Sequence, residues 1–357
     1  MVFSCSKDDG YSPINEVEEE IEEVEEIQSS PVNFDIDNIP YNTLSEYNFY
    51  NGTMADLEPV YGVLPYDLNS SLFSDYAEKK RFIWMPENVK ANYVADSEPF
   101  DFPSGTILIK NFYYNNVLPD METVIIETRL MIKLEDDWTF ANYVWNEDQT
   151  EAFFTTEASF KPLEWIQDGE LKQVEYRVPR FAECFTCHNS YDIPLPIGLK
   201  PQNLNRQLVY NDGIMNQLSK WKEFGYLSEN TPSDIVSIVP YTDETKPLEL
   251  RVRSYLDINC AHCHSDERHC DYAPIRFAFK DTDNPTSLGV CVENDFILEG
   301  DINHIFEPGN PAGSAAFARI QSTAEDIRMP ILARTLMHEE GVALIETWIN
   351  SLTQNCD

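Results

Sequence analysis

The chain has 357 residues, of which 42% are hydrophobic and 12% aromatic, a composition typical of a folded protein with room for two or more domains. Its formal net charge of −37 repels nucleic acids and anionic lipid surfaces, so nucleic acid is excluded as a partner and basic or uncharged partners are favoured. No run of about 18 apolar residues predicts a membrane-spanning helix.

The N-terminal region, 1–35, predicts a lipid anchor followed by an acidic tether. The stretch "VFSC", which ends at Cys5, resembles the cleavage site of a bacterial lipoprotein signal. The resemblance implies acylation of Cys5 and attachment to the cell envelope, on the periplasmic side or at the outer-membrane surface. The alternative is an ordinary buried or free cysteine. The glutamate-rich segment 15–31 predicts an extended spacer, with a solvated helix as the alternative.

Residues 36–200 predict an antiparallel β-rich domain. Runs such as "TVIIETRLMIKLED" and "DWTFANYVWNED" are rich in β-branched and aromatic residues and are bounded by turn formers, which is typical of strands. Leu130, Ile132 and Leu134 alternate with the residues between them, and this alternation predicts a sheet with one buried face.

Two pentapeptides, "CFTCH" and "CAHCH", carry the strongest chemical signal in the chain. Two residues between cysteines let both sulfurs reach the vinyl groups on one edge of a haem, and the adjacent histidine then ligates the iron. A zinc site is the alternative, but the motifs start 76 residues apart and each has its own histidine. The sequence therefore predicts two covalently bound haem c groups, held by Cys184, Cys187 and His188 and by Cys260, Cys263 and His264.

The first haem region, from Ala77 to His188, is similar to the cytochrome c′-β family and to its relatives that oxidise hydroxylamine with a lysine-crosslinked haem. The resemblance implies a sheet that covers the distal face of an iron with an open position. No lysine can be singled out for a crosslink. The candidates for the distal lining, each of which is also a candidate for the core, are Phe112, Arg129, Trp138, Tyr143 and Trp145.

Residues 201–245 predict a helical connector between the haem regions, because apolar residues recur there at helical spacing. These residues are Leu204, Leu208, Met215, Leu218 and Trp221. Met215 lies 27 residues after His188 and is an alternative sixth ligand of the first iron, although a place in the core is favoured.

Residues 246–357 predict an all-α domain. "KPLELRVRSYLDIN" and "HEEGVALIETWINSL" each present one apolar face at helical spacing, and "RMP" lies between them. These features resemble a class I cytochrome c, and the resemblance implies that Met329 is the sixth ligand of the second iron. Met337 and His338 are the alternatives. A haem with histidine and methionine ligands carries electrons and leaves no position for a substrate.

Three cysteines lie outside the haem motifs and the anchor. Cys270 and Cys291 bracket a loop of about 20 residues, whose closure would stabilise the fold by roughly 3 kcal/mol. The sequence therefore predicts a disulfide between Cys270 and Cys291, with Cys356 free.

Most of the chain resembles a family of di-haem c-type cytochromes from Gram-negative envelopes, in stretches such as "LFSDYAEKKRFIWMP" and "PIGLKPQNLN". The predicted fold class is α+β, an N-terminal antiparallel β-rich haem domain followed by an all-α class I cytochrome c domain. The predicted function is electron transfer, through a haem with histidine and methionine ligands coupled to a second haem, to or from a redox partner protein for which a basic surface is suited. The alternative is a redox enzyme or gas-binding protein that acts on a small molecule at an open first haem.

Overall fold

The computed structural model describes residues 1–2, 28–296 and 298–356. The predictions on Cys5 and on most of the acidic tether lie outside these residues. Within the part of the chain that the structure describes, no helix combines the length and the apolar character needed to cross a bilayer.

An eight-stranded antiparallel sheet forms the body of the protein. Six strands follow one another in chain order, and the last two form a hairpin that joins the sheet at the third strand. The strands are β1 (Leu64–Tyr66), β2 (Glu78–Trp84), β3 (Ile107–Val117), β4 (Glu122–Lys133), β5 (Trp138–Trp145), β6 (Ala152–Thr155), β7 (Ser159–Gln167) and β8 (Glu170–Val178). These strands include the β-branched and aromatic runs that predicted a sheet.

Both faces of the sheet are buried, whereas the alternation in β4 predicted only one. Leu130 and Ile132 are 1% and 0% exposed and pack against residues from the segment before β1. Met131, on the opposite face, is 9% exposed and packs with Leu108 and Phe140. Alternation shows which residues of a strand share a face of the sheet. It does not show that the second face is also buried, because the residues that cover this face are distant in the sequence.

The segment 201–245 is not the helical connector that its apolar spacing predicted. Two short helices, α2 (Pro201–Leu204) and α3 (Gln217–Glu223), flank a hairpin of β9 (Gln207–Tyr210) and β10 (Gly213–Asn216). The hairpin turns at the sequence Asn-Asp-Gly, in which Asn211 and Asp212 join the paired strand ends, and this is a strong turn signal that overrides the helical spacing.

The all-α class I cytochrome c domain predicted for 246–357 is wrong, and so is the predicted fold class. The structure is mostly β, with 18% of it helical. Three helices occur in the C-terminal region, α4 (Leu248–Asn259), α5 (Ala315–Gln321) and α6 (Glu339–Ser351). The described residues between α4 and α5 form turns, isolated β-bridges and one 3-10 turn (Pro311–Gly313), because the many Asp, Asn, Pro and Gly residues of this segment interrupt helices.

Two of these helices do lie where the apolar spacing placed them. Val252 and Leu256 of α4 share a buried cluster with Ile345 and Trp348 of α6. Ile258, at the end of α4, instead belongs to the cluster under the sheet. Helix α4 therefore packs on both the C-terminal core and the sheet, and it connects the two parts of the fold.

The disulfide joins Cys291 to Cys356, so the predicted pairing of Cys270 with Cys291 is wrong. Cys270 is a buried free cysteine. The prediction paired two cysteines that are close in the sequence. In the structure, the residues after α6 return to the core and bring Cys356 to Cys291.

Replacing Cys356 with serine should lower the free energy of unfolding by up to about 4 kcal/mol, because the disulfide closes a long loop in the unfolded chain. Urea unfolding monitored by tryptophan fluorescence measures the change. Cys270→Ser is the matched control and should cost less, since Cys270 closes no loop. Equal stability of the Cys356→Ser variant and the unaltered protein would contradict the pairing.

Candidate functional site

The first CxxCH motif lies in a short helix at the end of the sheet, α1 (Phe181–Cys187), directly after β8. The backbone amide of Phe181 donates to Thr156 at 3.0 Å, and the Glu183 carboxylate accepts from the Arg180 amide at 2.9 Å. Cys184 and Cys187 are three residues apart in this helix, so their side chains lie on one face. The anchored helix thus presents both sulfurs in the same direction.

His188 follows α1, and its ring orientation is fixed by the backbone. Nδ1 lies 2.8 Å from the carbonyl oxygen of Leu195. A carbonyl only accepts, so Nδ1 carries the proton and Nε2 is left free as a ligand atom, which is the usual arrangement of a metal-binding histidine. Burial lowers the pKa of His188 to about 4, so the imidazole is neutral at pH 7.

A cavity of about 150 Å³ opens onto Cys184, Cys187 and His188. Residues of β3, β4 and β5, among them Leu108, Met131 and Phe140, form one wall of this cavity. The segment 330–334 forms another wall. Its apolar lining includes Leu68, Leu72, Leu108, Met131, Phe140, Phe181, Ile197, Leu199, Ile258 and Leu332. An apolar chamber beside two cysteines and a free imidazole nitrogen fits a covalently attached haem.

Four basic side chains also line this cavity although the protein is strongly acidic: Arg81, Lys110, Arg129 and Arg334. Arg81 pairs with Asp67 at 2.8 Å, and Arg129 pairs with Glu127. Lys110 has no carboxylate partner among the described residues, and burial, followed by the neighbouring Arg81, holds its pKa well below the ordinary value. The wall formed by the sheet is therefore suited to an anionic group.

Of the five residues predicted to line the distal side, Arg129 alone borders the cavity. Phe112 lies under the Arg129 guanidinium, 4.5 Å from ring centroid to Cζ. Tyr143 and Trp145 belong to the cluster on the other face of the sheet, and Trp138 packs against Phe102.

Lys110, Met131 and Phe140 also line the cavity and were not among the lining residues predicted from the sequence. Lys110 pairs across the strands with Arg129, and Met131 pairs with Phe140. Alternation within β4 gave the signal for Met131, since it shares a face with Arg129. The strand register, which no single strand contains, was needed for the other two.

The second CxxCH motif begins where α4 ends. The His264 amide donates to the Cys260 carbonyl at 2.9 Å, and the His264 ring packs edge-on against Phe277 with centroids 5.4 Å apart. Nδ1 of His264 is buried and has no hydrogen-bond partner among the described residues. Burial raises the pKa of Cys260 to about 12. Two thiols and an unpartnered imidazole are the groups that a covalently attached haem would need at this motif.

Met329 is half-buried and its backbone is held from two sides. Its amide donates to the Arg319 carbonyl at 3.0 Å, and Nε of Arg334 donates to its carbonyl at 3.0 Å. Burial first, and then neighbouring charges that include Arg319, lower the pKa of His264 to about 4. The segment 330–334, directly after Met329, borders the cavity of the first motif, so ligation of the second iron by Met329 stays a prediction.

The alternative ligands are engaged elsewhere. His338 stacks on Phe73 with centroids 4.1 Å apart, and its Nδ1 lies 3.2 Å from the hydroxyl of Tyr255. Met337 packs against the C-terminal core. Met215 lies on β10, paired with Leu208 of β9.

The structure brings the two CxxCH motifs into direct contact, which the sequence did not predict. Ligand atoms of Cys187, His262 and Cys263 all lie within 4.8 Å of one another. Sγ of Cys263 lies 3.9 Å from the carbonyl oxygen of Thr186. Cys184 and Cys260 are not part of this group, so the four cysteines do not converge on one point as in a four-cysteine zinc site.

Comparison of the chain with models of protein families, with curated proteins and with solved structures finds no match.

Proposed function

We propose that this chain is a c-type cytochrome that holds two covalent haems and transfers electrons in the cell envelope. The observation that carries the proposal is the first motif, where Cys184, Cys187 and His188 face one apolar cavity and Leu195 fixes the His188 tautomer. Bound haem supplies a reversible one-electron iron couple.

The chain's own residues perform three tasks in this proposal. Cys184 and Cys187 would hold the first group through thioether bonds, and His188 would ligate the iron through Nε2, because Leu195 accepts the hydrogen bond from Nδ1. The apolar walls exclude water, which limits reorganisation around the iron. The cations on the wall formed by the sheet favour the anionic propionates of the haem. Cys260, Cys263, His264 and Met329 are the corresponding residues for the second group.

The compartment and the partner are also proposals. The disulfide between Cys291 and Cys356 agrees with an oxidising compartment, where haem c is attached. Acylation of Cys5 would anchor the chain to a membrane of the envelope. The net charge of −37 favours a redox partner with a basic surface, because opposite charges steer the encounter.

A metal ion is the second candidate, and the cluster of Cys187, His262 and Cys263 favours it. Two sulfurs and one imidazole nitrogen within 4.8 Å form the three-ligand set of a zinc site with one open position. The two candidates exclude each other, because a sulfur bound in a thioether is no longer a thiolate.

The pyridine haemochrome spectrum and the zinc content of protein exported to a bacterial periplasm, with the haem-attachment machinery present, distinguish the candidates. We expect a c-type haemochrome spectrum and less than one zinc ion per ten chains. Stoichiometric zinc without haem would overturn the proposal. If the unaltered protein holds zinc and no haem, and a Cys187→Ala variant holds neither, the zinc would be assigned to this cluster.

An open first iron remains the alternative within the haem proposal, and the unpaired Lys110 in the cavity wall favours it. A small anionic molecule in the cavity would meet the Lys110 amine and would favour its charged form. High-spin signals in the oxidised protein and carbon monoxide binding to one of two haems in the reduced protein are expected for an open iron. Two low-spin irons that do not respond to carbon monoxide would contradict it and leave electron transfer alone.

A further inference from the structure

We infer that the two CxxCH motifs form a single haem-pair site, in which Cys187 and Cys263 attach the two groups edge to edge. The inference rests on the proposed function and goes beyond it, because two haems in one chain need not be close. It assigns a shared role to residues of both motifs and a positioning role to Arg268.

One contact joins the two motifs, and two more join the segments that directly follow them. Sγ of Cys263 lies 3.9 Å from the Thr186 carbonyl oxygen. The Arg268 guanidinium donates to the Asn189 carbonyl at 2.8 Å. The Tyr191 amide donates to the Glu267 carbonyl at 3.2 Å. The two motifs are thus held close together by hydrogen bonds between the segments that follow them, and the sulfurs of Cys187 and Cys263 lie within 4.8 Å of each other.

Cys187 and Cys263 are the second cysteines of their motifs, so each would bond to the vinyl-bearing edge of its own haem. Their sulfurs lie within 4.8 Å of each other, and the attached carbon atoms are only one bond away from them. Two bound haems would therefore each have an attachment point at this cluster. Among the described residues, no other group of three or more such ligand residues includes a cysteine from each motif.

His262 shows in a second way that the sites are contiguous. It belongs to the second motif by sequence, yet it borders the cavity that opens onto Cys184, Cys187 and His188. Its Nδ1 is buried and has no hydrogen-bond partner among the described residues. A residue of one motif thus forms part of the wall of the other site.

The Soret circular dichroism of the protein carrying both haems tests the inference. Transition dipoles of neighbouring haems couple with a strength that falls with the cube of their distance, so a pair in edge contact should give a couplet with two lobes of opposite sign. The double variant Cys260→Ala/Cys263→Ala should give one band of a single sign. Intact mass measured on the same samples counts the haems.

The possible failures are distinguishable. A mass with two haems and no couplet in either oxidation state would overturn the haem pair and leave the proposed function standing. A mass with no haem would overturn the proposed function itself. A couplet that survives the loss of Cys260 and Cys263 would show that it arises from contact between molecules, and would also overturn the inference.

Arg268→Ala tests the contact without removing a cysteine. The variant loses the bond to Asn189, so the couplet should fall to less than half of its amplitude while the mass still shows two haems. Arg251→Ala is the matched control, because Arg251 donates one bond of 2.8 Å to the Tyr241 carbonyl, away from the first motif. Equal amplitudes in the two variants would contradict the positioning role of Arg268.

Discussion

Met329→Ala is expected to lower the reduction potential of the second haem by on the order of 0.1 V, since axial ligands tune haem iron over about 0.8 V. A thioether sulfur favours the reduced iron, and the oxygen of a water molecule that replaced it would favour the oxidised iron. Spectroelectrochemical titration measures the potential. The same variant should lose any weak sulfur-to-iron band in the far red of the oxidised spectrum.

Met337→Ala is the matched control, because Met337 packs against the C-terminal core and lies only eight residues further along the chain. It should reduce stability and leave the potential unchanged. Loss of the band in Met337→Ala rather than in Met329→Ala would assign the ligand to Met337. Survival of band and potential in both variants would show that neither methionine is the ligand.

Glu127→Ala is expected to reduce the free energy of unfolding by roughly 1–3 kcal/mol, because it leaves the Arg129 guanidinium and the buried Tyr176 hydroxyl without their acceptor. Glu127 is 0% exposed and pairs with Arg129. Its carboxylate also accepts a hydrogen bond of 2.6 Å from the Tyr176 hydroxyl. Urea unfolding measures the loss.

Glu170→Ala removes an ion pair of the same sheet that is exposed, the 2.9 Å contact with Lys172. Water and salt screen such a pair, so little or no change in stability is expected. A loss in Glu127→Ala no larger than that in Glu170→Ala would show that Arg129 finds another partner, and the account of the charged cavity wall would then be wrong.

The sequence predicted those parts of the fold that depend on neighbouring residues. The alternation of Leu130 and Ile132 and the apolar spacing of Val252 and Leu256 placed strands and helices correctly. The hairpin at Asn211 was missed because its turn signal was given less weight than the apolar spacing around it. The fold class failed because two helices with a methionine between them were taken to indicate an all-α domain.

In the candidate site, too, the sequence predicted what depends on neighbouring residues and missed what depends on distant ones. Each CxxCH motif is local, so its residues were found from sequence. The contact between Cys187 and Cys263 joins residues 76 positions apart, and Lys110 reaches the cavity through the register of β3 with β4. The disulfide partner of Cys291 lies 65 residues away. Such pairings depend on how distant segments pack, and a single sequence does not contain that information in local form.

Intact-mass spectrometry of the protein exported together with the haem-attachment machinery tests the central claim most directly. The account predicts the mass of the polypeptide plus two haems, and a loss of one haem in Cys260→Ala/Cys263→Ala. A mass equal to that of the bare polypeptide, in a preparation whose co-expressed control cytochrome carries its haem, would contradict it.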